Sequence, residues 1–111
     1  MTSGVLPGTV DLVILRAVSE GPLHGFGISR CLRERSKGVV ELQDAALYQA
    51  LHRLSRQGLL TATWGLSESN RRARFYELTA QGQQQLVREE TFFRDYVEGV
   101  MRILAPEATS A

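Results

Sequence analysis

At 111 residues, 43% of them hydrophobic and 23% charged, the chain has the length of one domain and the balance of a globular protein. Its single cysteine, Cys31, excludes a disulfide framework and suits a reducing, cytoplasmic compartment, and one Cys with two His leaves too few ligands for a zinc site. The net charge of +1 says little, but residues 1–80 carry ten Lys/Arg against seven Asp/Glu while residues 81–111 carry three against five, which assigns anion binding to the first part.

Met1-Thr2-Ser3-Gly4 has neither a basic region nor an apolar run, so neither a signal peptide nor a membrane span is expected there. A first helix is expected from about Gly8 to Ser19. Val10, Val13, Ile14, Ala17 and Val18 form its apolar stripe, which Leu12 and Leu15 widen into a mostly enclosed surface. Thr9 and Asp11 suit its N-terminus, and Gly21-Pro22 ends it. A second helix runs from about His24 to Ser36 with Ile28, Cys31 and Leu32 inside and Arg30, Arg33, Arg35 and Lys37 against Glu34 outside. His24 reads as its cap or as a packing residue. Gly25 and Gly27 weaken its first turn, which points to close approach by the first or third helix. Lys37-Gly38 stops it, and Val39-Val40-Glu41-Leu42 has the character of one short strand.

The central helix spans Asp44 to Gln57. Leu47, Ala50, Leu51 and Leu54 recur at i, i+3, i+4 and i+7 and give one apolar stripe, with Asp44 as N-cap or first-turn acid and Gly58 at the stop. The other side holds Tyr48, Gln49, His52, Arg53 and Arg56, long and donor-rich side chains that can read base edges and meet phosphates in a major groove. A solvated polar face is the plain alternative for such a helix taken alone. Leu59 to Trp64 alternates as a strand, residues 65–70 form a turn-rich loop, and Arg71 to Leu78 returns. Three helices followed by a two-stranded hairpin make a winged helix-turn-helix, mostly α with a small β-hairpin (α+β), over residues 1–79. On the hairpin, Asn70 and the cluster Arg71-Arg72-Ala73-Arg74 can reach phosphates or a narrow minor groove, with a solvated turn as the alternative. Trp64 is expected to anchor the wing on the core, with ligand stacking as the alternative.

The last helix runs from near Thr79 to about Leu104, and Pro106 ends it before a tail at Glu107–Ala111. It carries two apolar stripes: Leu86, Phe93, Val97, Val100 and Leu104, and Phe92, Tyr96, Gly99 and Ile103. One stripe closes a small domain; the second calls for a partner, and a second copy of the chain supplies it. Residues 80–111 are therefore read as a dimerisation segment. Nothing near His52 forms a nucleophile constellation, and no phosphate loop, metal cluster or cofactor motif appears, so neither an enzyme nor a cofactor is expected; a small hydrolase-like enzyme using His52 or His24 is the enzymatic alternative, and the missing nucleophile counts against it.

Taken together, these motifs resemble the PadR family of bacterial transcriptional regulators, named for control of phenolic acid decarboxylase genes. The matching residues are Gly8-Thr9-Val10-Asp11-Leu12, Gly21-Pro22-Leu23-His24-Gly25-Phe26-Gly27-Ile28, Leu47-Tyr48-Gln49-Ala50-Leu51-His52-Arg53-Leu54 and Gly58-Leu59-Leu60. Trp64, Arg71-Arg72-Ala73-Arg74-Phe75-Tyr76-Glu77-Leu78-Thr79 and Gly82 follow in order, so the likeness covers about residues 5–104. The resemblance implies a dimeric repressor of the short type, with one C-terminal helix for dimerisation. It places Tyr48, Gln49, His52 and Arg53 on the helix that reads double-stranded DNA, and Asn70, Arg71 and Arg72 on the wing. It also implies a planar aromatic or hydrophobic effector at or near the dimer interface that lowers operator affinity.

Two positions depart from the family's pattern. Ala46 stands where a hydroxyl residue is common, which removes a phosphate contact, and Gln49 stands where proline is common, which adds a side chain able to pair with adenine. Dimerisation is assigned to Leu86, Phe92, Phe93, Tyr96, Val97, Val100, Ile103 and Leu104, and the operator is expected to be near-palindromic. A winged helix that binds a protein instead of DNA is the alternative, and salt dependence separates the two.

Overall fold

Four helices and three strands follow one another as α1 (Val10–Val18), β1 (Leu23–His24), α2 (Gly25–Arg35), α3 (Asp44–Arg56), β2 (Leu60–Leu66), β3 (Arg72–Leu78) and α4 (Ala80–Leu104). The computed structural model describes residues 4, 6 and 8–107. For residues 1–3 and 108–111, the expectations of an N-terminus without a leader and of a terminal tail lie outside the described residues. No helix among the described residues is long and apolar enough to cross a membrane.

The expected helix–helix–helix–hairpin order holds, with one addition. The sheet has three antiparallel strands in the order β1-β3-β2. Leu23 and His24, read from sequence as the lead into α2, pair with Tyr76 and Phe75 of β3. A lone hairpin would leave the outer edge of β3 open, and these two residues cover part of it.

The stripes read from sequence converge on one core. Ile14, Leu15 and Val18 of α1, Ile28 and Leu32 of α2, and Leu47, Leu51 and Leu54 of α3 are buried there with Leu60, Tyr76 and Leu86. Each such Leu or Ile contributes roughly 1.5–3 kcal/mol relative to exposure. Cys31 is only half-buried. His24 is the expected cap: its Nδ1 accepts the Gly27 N–H at 2.9 Å, and its ring stacks on Phe75 at 5.1 Å. A Cβ on Gly27 would stand 3.0 Å from that nitrogen, so this glycine makes room for the cap and not for a neighbouring helix. Thr9 precedes α1, but its hydroxyl donates to the Leu6 carbonyl at 2.7 Å and does not cap. The strand expected at Val39–Leu42 reduces to one bridge between Val40 and Gly4.

α4 is fastened to the wing's base by backbone chemistry. The Thr79 side chain caps α4 by accepting the Gly82 N–H at 2.9 Å, and its hydroxyl lies 2.7 Å from the Gly58 carbonyl that it donates to. The Thr79 N–H donates to the Leu59 carbonyl at 3.1 Å. Gly82 then presses against that same Leu59 carbonyl, and a Cβ there would collide with its oxygen. From this root the 25 residues of α4 extend roughly 37 Å at 1.5 Å per residue. Leu86 enters the core and Phe93 is half-buried; beyond Phe93 the side chains are exposed or at most half-buried, in a molecule measuring 65 × 31 × 21 Å.

Candidate nucleic-acid interface

Gln43 is extended (φ −64°, ψ 145°), so Asp44 is the first helical residue of α3 and acts as a first-turn acid on the helix dipole. The apolar stripe Leu47, Ala50, Leu51 and Leu54 is buried to the last residue. That burial turns Tyr48, Gln49, His52 and Arg56 outward, and all four are exposed. No acidic residue occurs between Ala45 and Gln57, so the exposed face offers donors with no carboxylate among them.

Tyr48 is 53% exposed, yet its ring lies against the start of α2. A Cβ on Gly25 would come within 2.6 Å of the Tyr48 hydroxyl oxygen. Gly25 is thus the close approach to the third helix that its sequence suggests, and it fixes where Tyr48 emerges.

Arg53 departs from the expected face. Its guanidinium donates to the Asp11 carboxylate of α1 at 2.8 Å, with the Arg53 side chain 41% and the Asp11 side chain 29% exposed. The hydrogen bond to Asp11 raises the Arg53 pKa above its ordinary value. Part of this side chain therefore secures α3 to α1 and does not join the exposed face of α3. Asp11, assigned from sequence to the α1 terminus alone, is the partner that local pattern could not supply.

The wing is a tight turn between two regular strands. Ser67 N–H donates to Arg71 O at 2.8 Å, and Asn70 N–H donates back to Ser67 O at 2.9 Å. Asn70 sits at φ 63°, a left-handed conformation that Asn tolerates better than most residues, so its backbone makes the turn while its side chain is exposed. Arg71 is exposed beside it. Arg72 and Arg74 lie over the Trp64 ring, their guanidinium carbons 4.3 and 5.5 Å from its centroid.

Trp64 does not anchor the wing on the core. It is 57% exposed. The register pairs Leu60 with Leu78, Ala62 with Tyr76 and Trp64 with Arg74 on one face. The helices cover only the first two of these pairs, and Trp64 stands one step past the edge of the core. Trp64 is thus a wing-face residue where the sequence suggests a core anchor, and it stands beside Arg74 of the arginine cluster already expected on the hairpin. The signal was available in the alternation of the strands, once the register is known. At the tip, Glu68 stands 3.8 Å from Arg30 of α2, an exposed pair of small energetic weight.

The residues assigned to dimerisation divide. Leu86 is 1% exposed inside its own chain's core, because the first turns of α4 lie on α1 and β3, and it is not free for a partner. Phe93 and Val100 are half-buried. Phe93 lines a groove with Leu12 and Val13 of α1. Phe92, Tyr96, Val97, Ile103 and Leu104 are exposed, and the Phe92 and Tyr96 rings stack 6.3 Å apart. Met101 and Val87, absent from the sequence assignment, are exposed apolar residues of the same helix.

A family model for the transcriptional regulator PadR-like family matches residues 14–88. An uncharacterised protein from Lysinibacillus sphaericus is 24% identical over 99 residues, which is 86% of this chain and 91% of that protein. Among solved structures, the chain is similar to a transcriptional regulator from Clostridium thermocellum (TM-score 0.79, 23% identity, 88% of this chain and 92% of that one). It is similar also to a PadR family transcription regulator from Clostridium difficile (TM-score 0.76, 24% identity, 88% and 100%). A third likeness is to a PadR family transcriptional regulator from Eggerthella lenta (TM-score 0.74, 25% identity, 92% and 85%).

Proposed function

The chain belongs to the PadR-like family of transcriptional regulators, and from that premise we propose that it is a homodimeric repressor of a near-palindromic, double-stranded operator. In this reading α3 of each copy enters a major groove. Gln49 and His52 face base edges, Tyr48 faces a phosphate, and the wing brings Asn70, Arg71 and Arg72 to the neighbouring backbone or minor groove. Arg53 orients α3 through Asp11 and offers DNA only the donors left over. The observation that carries the proposal is the exposed face of α3, rich in donors, free of carboxylates from Ala45 to Gln57, and accompanied by an arginine-bearing wing.

Two copies would join through the side of α4 where Phe92, Tyr96, Val97, Met101, Ile103 and Leu104 are exposed among the described residues. A two-fold axis there spaces the half-sites by one helical turn of DNA or a multiple of it. A small hydrophobic or aromatic effector then releases the operator by favouring a dimer geometry that misplaces the two α3 helices, since a ligand shifts an equilibrium only by its differential affinity.

Selection of bound DNA from a random pool tests the proposal. The expected result is an enriched inverted repeat whose log affinity falls linearly with log salt. A pool that yields no sequence, with a partner protein bound regardless of salt, returns the chain to the class of protein-interaction modules.

A further inference from the structure

Trp64 has no part in the repressor just described, and burial does not explain it: more than half of it is exposed. Strand alternation puts Trp64, Leu66, Arg72 and Arg74 on one face of the wing. There the indole lies beneath two guanidinium groups, at 4.3 Å from Arg72 and 5.5 Å from Arg74. Tryptophan is the best of the aromatic side chains for holding a cation over its face.

The charge of this pair is not spent on a carboxylate among the described residues. The hairpin has two carboxylates, Glu68 and Glu77. Glu68 is 3.8 Å from Arg30 on α2. Glu77 pairs across the sheet with Thr61 and so projects from the opposite face. No ion pair involves Arg72 or Arg74 among the described residues. Two cations stacked on one ring, with no ion pair among the described residues, form a prepared seat for an external anion. An unstacked arginine gives up rotamer freedom when it docks on a phosphate, whereas a stacked one has given up much of it beforehand.

We infer that Trp64 is the positioning residue of the wing, holding Arg72 and Arg74 as a preformed pair for phosphate oxygens of DNA. The inference rests on the operator reading and deepens it. Arg71, on the turn, contributes charge without this ordering.

The test uses full-length protein and the DNA selected from the random pool, at one salt concentration. Trp64→Leu, which keeps an apolar strand residue and loses the ring, is expected to bind about threefold to tenfold more weakly. Arg72→Ala is expected to weaken binding in the wild-type background and to add little in the Trp64→Leu background, because the ring and the cation act as one unit. Trp64→Phe recovers most of the loss. Should Trp64→Leu lose its cooperative unfolding transition, the series Trp, Tyr, Phe at position 64 carries the test, with affinity falling in that order. Binding by Trp64→Leu equal to wild type, losses at 64 and 72 that simply add, or an affinity series unrelated to the ring overturns the inference while leaving the operator reading standing. Wild-type protein that binds no DNA removes both, and the wild-type titration alone identifies that case.

Discussion

The Arg53 guanidinium donates to the Asp11 carboxylate at 2.8 Å and joins α3 to α1 across 42 positions of sequence. Both side chains are partly exposed, so the pair is expected to contribute only about 0.5–1 kcal/mol. In urea unfolding, Arg53→Ala and Asp11→Ala should each cost about that much, and the double variant should cost no more than either alone. If Arg53 acts by orienting α3, both variants weaken operator binding to a similar extent. A loss confined to Arg53→Ala would move that residue onto the DNA.

Gly82 faces the Leu59 carbonyl with no room for a methyl group. The obstruction is backbone that also accepts the Thr79 N–H, so relief requires the root of α4 to move. Gly82→Ala is therefore expected to destabilise by about 2–3 kcal/mol or more, although alanine is the better helix former. An equal or raised denaturation midpoint would show that the junction gives way freely.

Leu86 and Tyr96 lie on the same helix with opposite fates. Leu86→Ala opens a hole in the core and should cost about 2–5 kcal/mol in unfolding free energy. Tyr96→Asp places a charge on an exposed apolar surface, and should leave the single chain folded while halving its mass in sedimentation at micromolar concentration. Wild-type protein that sediments as a single chain at that concentration would remove α4 from the dimer proposal.

Gln49 and Arg71 should differ in what they do to DNA recognition. Gln49→Ala is expected to relax the preference for one base pair, by about 1–3 kcal/mol of discrimination, in a randomised pool. Arg71→Ala should weaken all sequences alike and reduce the salt slope by about one. An unchanged base preference in Gln49→Ala would falsify its assignment to a base edge.

These contrasts also mark where the sequence stops being legible. The stripe Leu47, Ala50, Leu51 and Leu54 is buried as its spacing implies, because helical period is a local property. His24 could be recognised as a cap for the same reason, since it acts within one helix turn, whereas Gly25 signals a close approach without naming its neighbour, Tyr48 of α3. β1 could not be foreseen, since Leu23 becomes a strand only by pairing with Tyr76. Arg53 has the look of its neighbours on the polar face until Asp11 arrives from a distant helix. Leu86 and Tyr96 are both apolar residues on one long helix, and the position of α1 decides which of them is inside. Trp64 is not legible because hydrophobicity predicts burial, whereas its register carries it past the reach of the core.

Trp64 is the only tryptophan in the chain, and it stands at the wing under two arginines. The protein therefore carries its own optical probe. Red-edge excitation selects this indole over the tyrosines, which lie on α3, β3 and α4, so emission reports on the wing alone. Titrating unlabelled protein with DNA in a fluorimeter watches one arm of the molecule while the rest stays dark.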